Sequence, residues 1–181
     1  MATPVIAFAQ LATEIEKEGL HAKNGERIAA EIAKTFGVKE DEVAIMHLEK
    51  MMLSFVYPAK LATVGSIPVN TSTSLAARTA NTKRPEILNN FAQSKHASVF
   101  EAVELGVGKP KVAGQHANPE EKLMHVIQKM MSVPVMGPTG VAGVIQVSRK
   151  GRSAPEAGGD FTPPDLQKLI AIAASLAKCF K

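Results

Sequence analysis

Between residues 4 and 37 the apolar positions repeat every three or four residues, whereas between 42 and 57 they crowd onto both sides of an extended chain. Val5, Phe8, Leu11, Ala12 and Ile15 form one helical stripe from Pro4 to Glu18, with Gly19 as its stop. A second helix follows Asn24, a good N-cap, sets Ile28, Ile32 and Phe36 on one face, and ends at Gly37. Both helices are amphipathic, so each must cover something. Glu42 to Leu48 and Met51 to Tyr57 read as two short strands around Glu49 and Lys50. In the first, Val43, Ile45 and His47 face one way and Ala44, Met46 and Leu48 the other, which predicts a central strand covered on each side. Pro58 ends the second strand, and Leu61 to Val64 reads as a third.

Further along, Ser72, Thr73 and Ser74 offer an N-cap for a short helix from Leu75 to about Thr82, closed by Arg84-Pro85. Glu86 to Asn89 reads as a brief strand. A short helix is expected near Ser98 to Val103, a glycine- and proline-rich stretch from Gly106 to Asn118, and a helix opened by Pro119. Met130 to Val135 and Gly140 to Val147 are apolar runs flanking Gly137, Pro138 and Gly140, the signature of an antiparallel hairpin. A polar loop from Ser148 to Asp160 leads to Phe161-Thr162-Pro163-Pro164-Asp165, which opens the last helix. Leu166, Leu169, Ala173, Leu176 and Phe180 then recur alternately three and four apart, a coiled-coil-like seam widened by Ile170, Ile172 and Ala177. So much apolar surface can cover the sheet and leave a stripe for a partner, and a homodimer through the helices is expected.

Composition narrows the classes. The 181 residues suit one domain, with the N-terminal helices in 1–37, the sheet and pocket in 41–150 and the C-terminal helix in 161–181. Aromatic residues are scarce and the formal net charge of +4 is dispersed, which speaks against nucleic acid. The densest basic cluster, Arg149-Lys150-Gly151-Arg152, reads as a solvated loop. One cysteine, Cys179, excludes an internal disulfide and a thiolate metal cluster, and its apolar neighbours point to an inert thiol. No apolar run reaches the roughly 20 residues that cross a bilayer. A cytoplasmic protein without membrane contact is the expectation. His116 and His125 are too far apart for a helical pair of metal ligands, and no P-loop or nucleophile elbow follows a strand.

Four blocks in order resemble the GAF family from about Asp41 to Ala177. Gly65-Ser66-Ile67-Pro68 with Ser74-Leu75-Ala76-Ala77-Arg78 resembles the family's "G-x-x-I-P" and following helix. Lys83-Arg84-Pro85-Glu86-Ile87-Leu88-Asn89 resembles its "x-P" turn and next strand. Ile127 to Val135 is similar to "I-R-S-M-L-A-V-P-L", and Gly143 to Val147 to "G-V-L-Q-L". The resemblance implies a GAF-like, PAS-related α+β fold. Its antiparallel sheet would have five to six strands, with terminal helices on one face and a pocket of short helices and loops on the other. It implies no particular ligand, so the cofactor stays unknown. Of the cyclic-nucleotide pattern N-K…F…D-E, Lys150, Phe161 and Asp165 match, whereas Arg149 and Leu166 depart from it. Free-methionine-sulfoxide reductases share the fold, but thiol chemistry needs a second cysteine that this sequence lacks.

The leading expectation is a small-molecule sensor without catalytic activity that signals through its terminal helices. The alternative is a dimerisation module with a vestigial pocket. The segment after the Ile87 strand should form the pocket wall, with Asn90 as a hydrogen-bonding group, His96 beside it and Phe100 as an apolar lid. Arg78, on the short helix opposite, suits an anion because its fork of donors is fixed. His47, Tyr57 and the adaptable Met131 complete the candidate ligand contacts. The bland readings stand beside these: a solvated arginine, loop residues at 90 and 96, a core histidine and core methionines.

Overall fold

The computed structural model describes residues 4–63, 65–70, 74–93 and 126–181. Two helices open the chain, α1 (Pro4–Glu18) and α2 (Ala22–Phe36). Gly37 closes α2 in the left-handed region at φ 64°, its N–H reaching Ala33 O, as its lack of a Cβ permits. Asn24 does not cap that helix. It lies buried inside the first turn, where its Nδ2 donates to Gly19 O at 2.9 Å and ties the α1–α2 bend.

Among the described residues six strands follow: β1 (Val43–Glu49), β2 (Met52–Tyr57), β3 (Ser66–Pro68), β4 (Glu86–Leu88), β5 (Ile127–Gly137) and β6 (Gly140–Lys150). They form one antiparallel sheet in the order β3-β2-β1-β6-β5-β4. The expected hairpin is β5 and β6, joined at Gly137↔Gly140 by Pro138 and Thr139. Residues 61–63 do not give a strand, and residue 64 lies outside the described residues; Ala59–Ala62 instead forms the one-turn helix α3, whose good helix formers follow directly on Pro58. Helix α4 (Leu75–Thr82) starts as expected, with Ala77 N donating to Ser74 Oγ. The helices expected near 98–103 and after Pro119 lie outside the described residues, apart from Ile127, which is strand.

Alternation along the strands builds two cores. Toward the terminal helices, Val43, Ile45, Met131, Val133, Val135, Ile145 and Val147 pack with Phe8, Ile15, Ile28, Ile32 and Leu169. On the other side, Ala44, Met46, Leu53, Phe55, Met130 and Val144 meet Leu61, Leu75, Ala76, Ala80 and Phe91. At about 1.5–3 kcal/mol for each large side chain removed from water, burial on the two faces supplies the main drive for folding.

Helix α5 (Pro163–Leu176) is entered through a capping box: Asp165 N donates to Thr162 Oγ1, and Thr162 N returns to Asp165 Oδ2 at 2.9 Å. Leu169, Ala173, Leu176 and Phe180 of the seam are buried in their own chain against the sheet and α1, with Leu166 half-buried at its start. Its heptad spacing is equally the spacing of a helix lying on a sheet. Arg149 and Lys150 belong to β6 and not to a solvated loop. The Arg149 guanidinium lies 4.7 Å over the Phe161 ring, and Lys150 Nζ donates to Asp41 O at 2.9 Å. Asn89 clasps the same loop from β4, accepting from Phe161 N and donating to Phe161 O. Buried Lys129 bonds Gly158 O and Asp160, both at 2.7 Å. Among the described residues no helix is long and apolar enough to cross a membrane.

Candidate ligand-binding site

The face turned away from the terminal helices is the expected pocket side, and beside α4 its described residues are closely packed. Three polar side chains, Thr79, Ser132 and Gln146, are buried there and satisfy one another. Thr79 Oγ1 and Ser132 Oγ are 2.8 Å apart, and Gln146 Nε2 donates to Ser132 Oγ at 3.2 Å. Thr79 also donates to Leu75 O, so the group fixes α4 on β5 and β6. Arg78 already holds an anion. Its Nε and Nη2 reach the two oxygens of Glu86 at 2.9 and 2.5 Å, a fork-to-carboxylate pair. Asn90 is exposed in the turn after β4, and its neighbour Asn89 makes the structural bonds. His96 and Phe100 lie outside the described residues.

The other three candidates sit on the opposite face. Met131 pairs with Val147 and is fully buried beneath the terminal helices; its neighbour Met130 points to the α4 side. Tyr57 pairs with Ile45 and packs against the same helix-side core. Strand parity places them there, since a residue opposite Val147 or Ile45 must share its face. Met131 and Tyr57 thus face the terminal helices and not α4. His47 alternates with Val43 and Ile45 as read from the sequence, but its surroundings differ from theirs.

At His47 the sheet opens. The β1–β6 ladder runs from Val43↔Val147 to His47↔Gly143 and stops, although β1 continues to Glu49 and β6 begins at Gly140. The cause is a bulge: Val135 pairs with Gly143 but Met136 with Val141, so Ala142 is an extra residue that turns the hairpin tip away from β1. The wedge is floored by Phe180. Its ring lies against Gly143, where a Cβ would strike Met46 O and come within 2.6 Å of the ring. Glycine inside this strand is what admits the aromatic side chain.

A cleft of about 1000 Å³ results, bounded by the end of β1, the hairpin tip and residues 174–181. Met136, Val141, Ala142, Ala174, Ala177 and Phe180 make most of its wall apolar. His47 lies in it with its ring centroid 6.3 Å from that of Phe180, and among the described residues its imidazole has no hydrogen-bond partner. Lys178 and Lys181 stand at the rim, held from outside by α1. Lys178 Nζ is 2.8 Å from Thr13 Oγ1, and Lys181 Nζ is 2.6 Å from Glu16 Oε1. The bond from Lys181, with help from Lys178, lowers the Glu16 pKa. Cys179 is buried next to Ala12 O, and desolvation raises its pKa, so it is a poor nucleophile. Among the described residues no three His, Cys, Asp or Glu side chains are placed to hold a metal ion.

The sequence reading singled out His47 but missed the rest of this cleft. Gly143 was its one local signal, a glycine within an otherwise β-branched run.

No family model matches the chain, and no curated protein matches it in sequence. Solved structures do match in shape. The GAF domain of an Acinetobacter phosphoenolpyruvate-protein phosphotransferase superposes with a TM-score of 0.64 at 13% identity, covering 99% of this chain and 94% of that one. The A. aeolicus nlh2 GAF domain in an inactive state gives 0.58 at 14%, with 98% and 95% covered. The reduced form of fRMsr from Staphylococcus aureus gives 0.57 at 17%, with 100% of each chain covered. The chain therefore has the GAF-domain fold. At these identities the likeness shows the fold alone and assigns no role.

Proposed function

We propose that this GAF-fold chain is a small-molecule-binding regulatory domain without catalytic activity, its ligand seated in the cleft beside His47 and its occupancy relayed through the terminal helices. One observation carries the reading: among the described residues a cavity of ligand size opens between the end of β1, the hairpin tip and residues 174–181. A ligand there touches the hairpin tip and residues 174–181 together, so binding reaches the helices without any intermediate. A reducing, cytoplasmic setting accords with the lone buried thiol. The test is a thermal-shift screen of amino acids, nucleotides and small organic acids on the native protein and on Ala174→Trp, whose indole fills the cleft. At least one compound should raise the melting temperature of the native protein and lose its effect in the variant. A hit unaffected by the tryptophan would move the site elsewhere, and turnover of a hit would make the protein an enzyme.

The dimerisation reading retains one specific support, Ile6, which is 50% exposed on α1. No thermal-shift hit together with a stable dimer in sedimentation would favour it.

A further inference from the structure

We propose that the cleft takes a small amphipathic anion, a carboxylate on an aromatic or branched apolar body, and that Lys178 and Lys181 turn from Glu16 to meet its charged end. This rests on the cleft being the ligand seat, and adds the ligand's chemistry and the route by which α1 senses it.

The wall is apolar and the polar groups are few, which selects a ligand with an apolar body and one charged end. Phe180 offers an aromatic floor, and the His47 imidazole, without a hydrogen-bond partner among the described residues, can donate to or accept from the ligand's polar end. At the rim Lys178 and Lys181 face Glu49 in the lining and Glu16 behind them, so a ligand carboxylate that displaces Glu16 gains two ammonium partners, whereas a cation has only Glu49. Neither lysine is locked. The Lys181 side chain is 71% exposed and that of Lys178 is 39% exposed, and Lys178 lies 3.5 Å from Glu16 Oε2. Solvated ion pairs of this kind are worth little, so a carboxylate arriving in the cleft can take over both ammonium groups. Glu16 and the ligand then compete for the same cations. Binding loosens α1 from residues 178–181, and that is the signal.

The competition makes opposite predictions for the two sides of the ion pairs. Calorimetric titration with 1-naphthoate, and with 1-naphthylmethylamine as its cationic counterpart, reads both. Naphthoate should bind one to one, with the amine weaker by about tenfold or more. The double variant Lys178→Met/Lys181→Met should weaken naphthoate by about tenfold and leave the amine unchanged or improved. Glu16→Gln removes the competitor and should tighten naphthoate by about threefold. A purely structural role for the contacts predicts that both variants weaken naphthoate together. That parallel loss, or equal affinity for the two probes, overturns the proposal. Urea denaturation of each variant checks that all are folded. If Ala174→Trp abolishes naphthoate binding while the charge variants leave it unchanged, the anion proposal falls and the cleft stands. If Ala174→Trp leaves binding unchanged, both fall. A cleft covered by a second copy, seen as a dimer that Ala174→Trp dissociates, overturns the proposal as well.

Discussion

Thr79, Ser132 and Gln146 on one face of the sheet, and His47 on the other, are all polar side chains set among apolar ones. The first three lie where β5 and β6 stay in register under α4, and close packing has brought each a partner. His47 lies where the ladder ends, and among the described residues no other element fills the space beside it. Buried polar groups must be satisfied, so in a continuous sheet they become structure. Where strands part around a bulge, the same residue type stays available to a ligand. The candidate site thus follows from the break in the sheet more than from the identity of any one residue.

The largest effect should come from joining the two regions by force. Gly143→Val sets a branched side chain against Met46 O and the Phe180 ring, and should cost more than about 4 kcal/mol in urea denaturation or expel residues 177–181. Expulsion would show as rapid labelling of Cys179, which is buried in the native protein. Native-like stability with a protected thiol would mean that Phe180 does not seal the sheet at this point. Leu169→Glu comes next. This side chain has no exposure, and an unpaired carboxylate there should cost about 3–5 kcal/mol and yield aggregate. A soluble, well-folded monomer would instead place Leu169 on a partner-facing seam.

Smaller losses test whether the closed face is a satisfied polar network. Ser132→Ala leaves Thr79 and Gln146 each short of a bond in a buried place and should cost about 1–3 kcal/mol. His47→Ala on the open face should cost less than about 1 kcal/mol, since no hydrogen bond of the described chain is lost. Equal losses at the two positions would erase the distinction between the faces.

The smallest effect is on acidification. Glu16 is depressed by the Lys181 bond first, and Asp165 by the N–H of Thr162 first, from ordinary values of 4.5 and 3.8. A carboxylate with a depressed folded pKa contributes stability that is complete above its ordinary value and lost as pH falls through the folded one. Both groups are largely solvated, so the slope should be shallow below those two values. The double variant Glu16→Gln/Asp165→Asn should flatten it further, as followed by urea midpoints between neutral pH and about pH 3. A slope unchanged in the double variant would assign the acid sensitivity to other groups.

Much of the architecture was legible in the sequence. The two N-terminal stripes, the hairpin around Gly137 and Gly140, the Ser74 cap and the start of α5 at Thr162 are local signals, and local rules govern them. Parity along β1 correctly put His47 with Val43 and Ile45. The same parity, applied to β5, would have placed Met131 under the helices. The sites depended on relations that no window contains. Glu86 is eight residues from Arg78 and neutralises it, and Asn89 finds Phe161 across 72 residues. Whether a heptad seam meets a sheet or a partner helix is likewise decided by what lies opposite.

The central claim, that the ligand seat is the wedge beside His47 and not the layer beneath α4, can be read from methionine methyl groups. In the protein labelled with ¹³C-methyl methionine, a titration with 1-naphthoate or a thermal-shift hit should move Met136, which lines the cleft, and leave Met46 and Met130, buried on the α4 side, in place. Shifts at Met46 and Met130 with Met136 unmoved would contradict it.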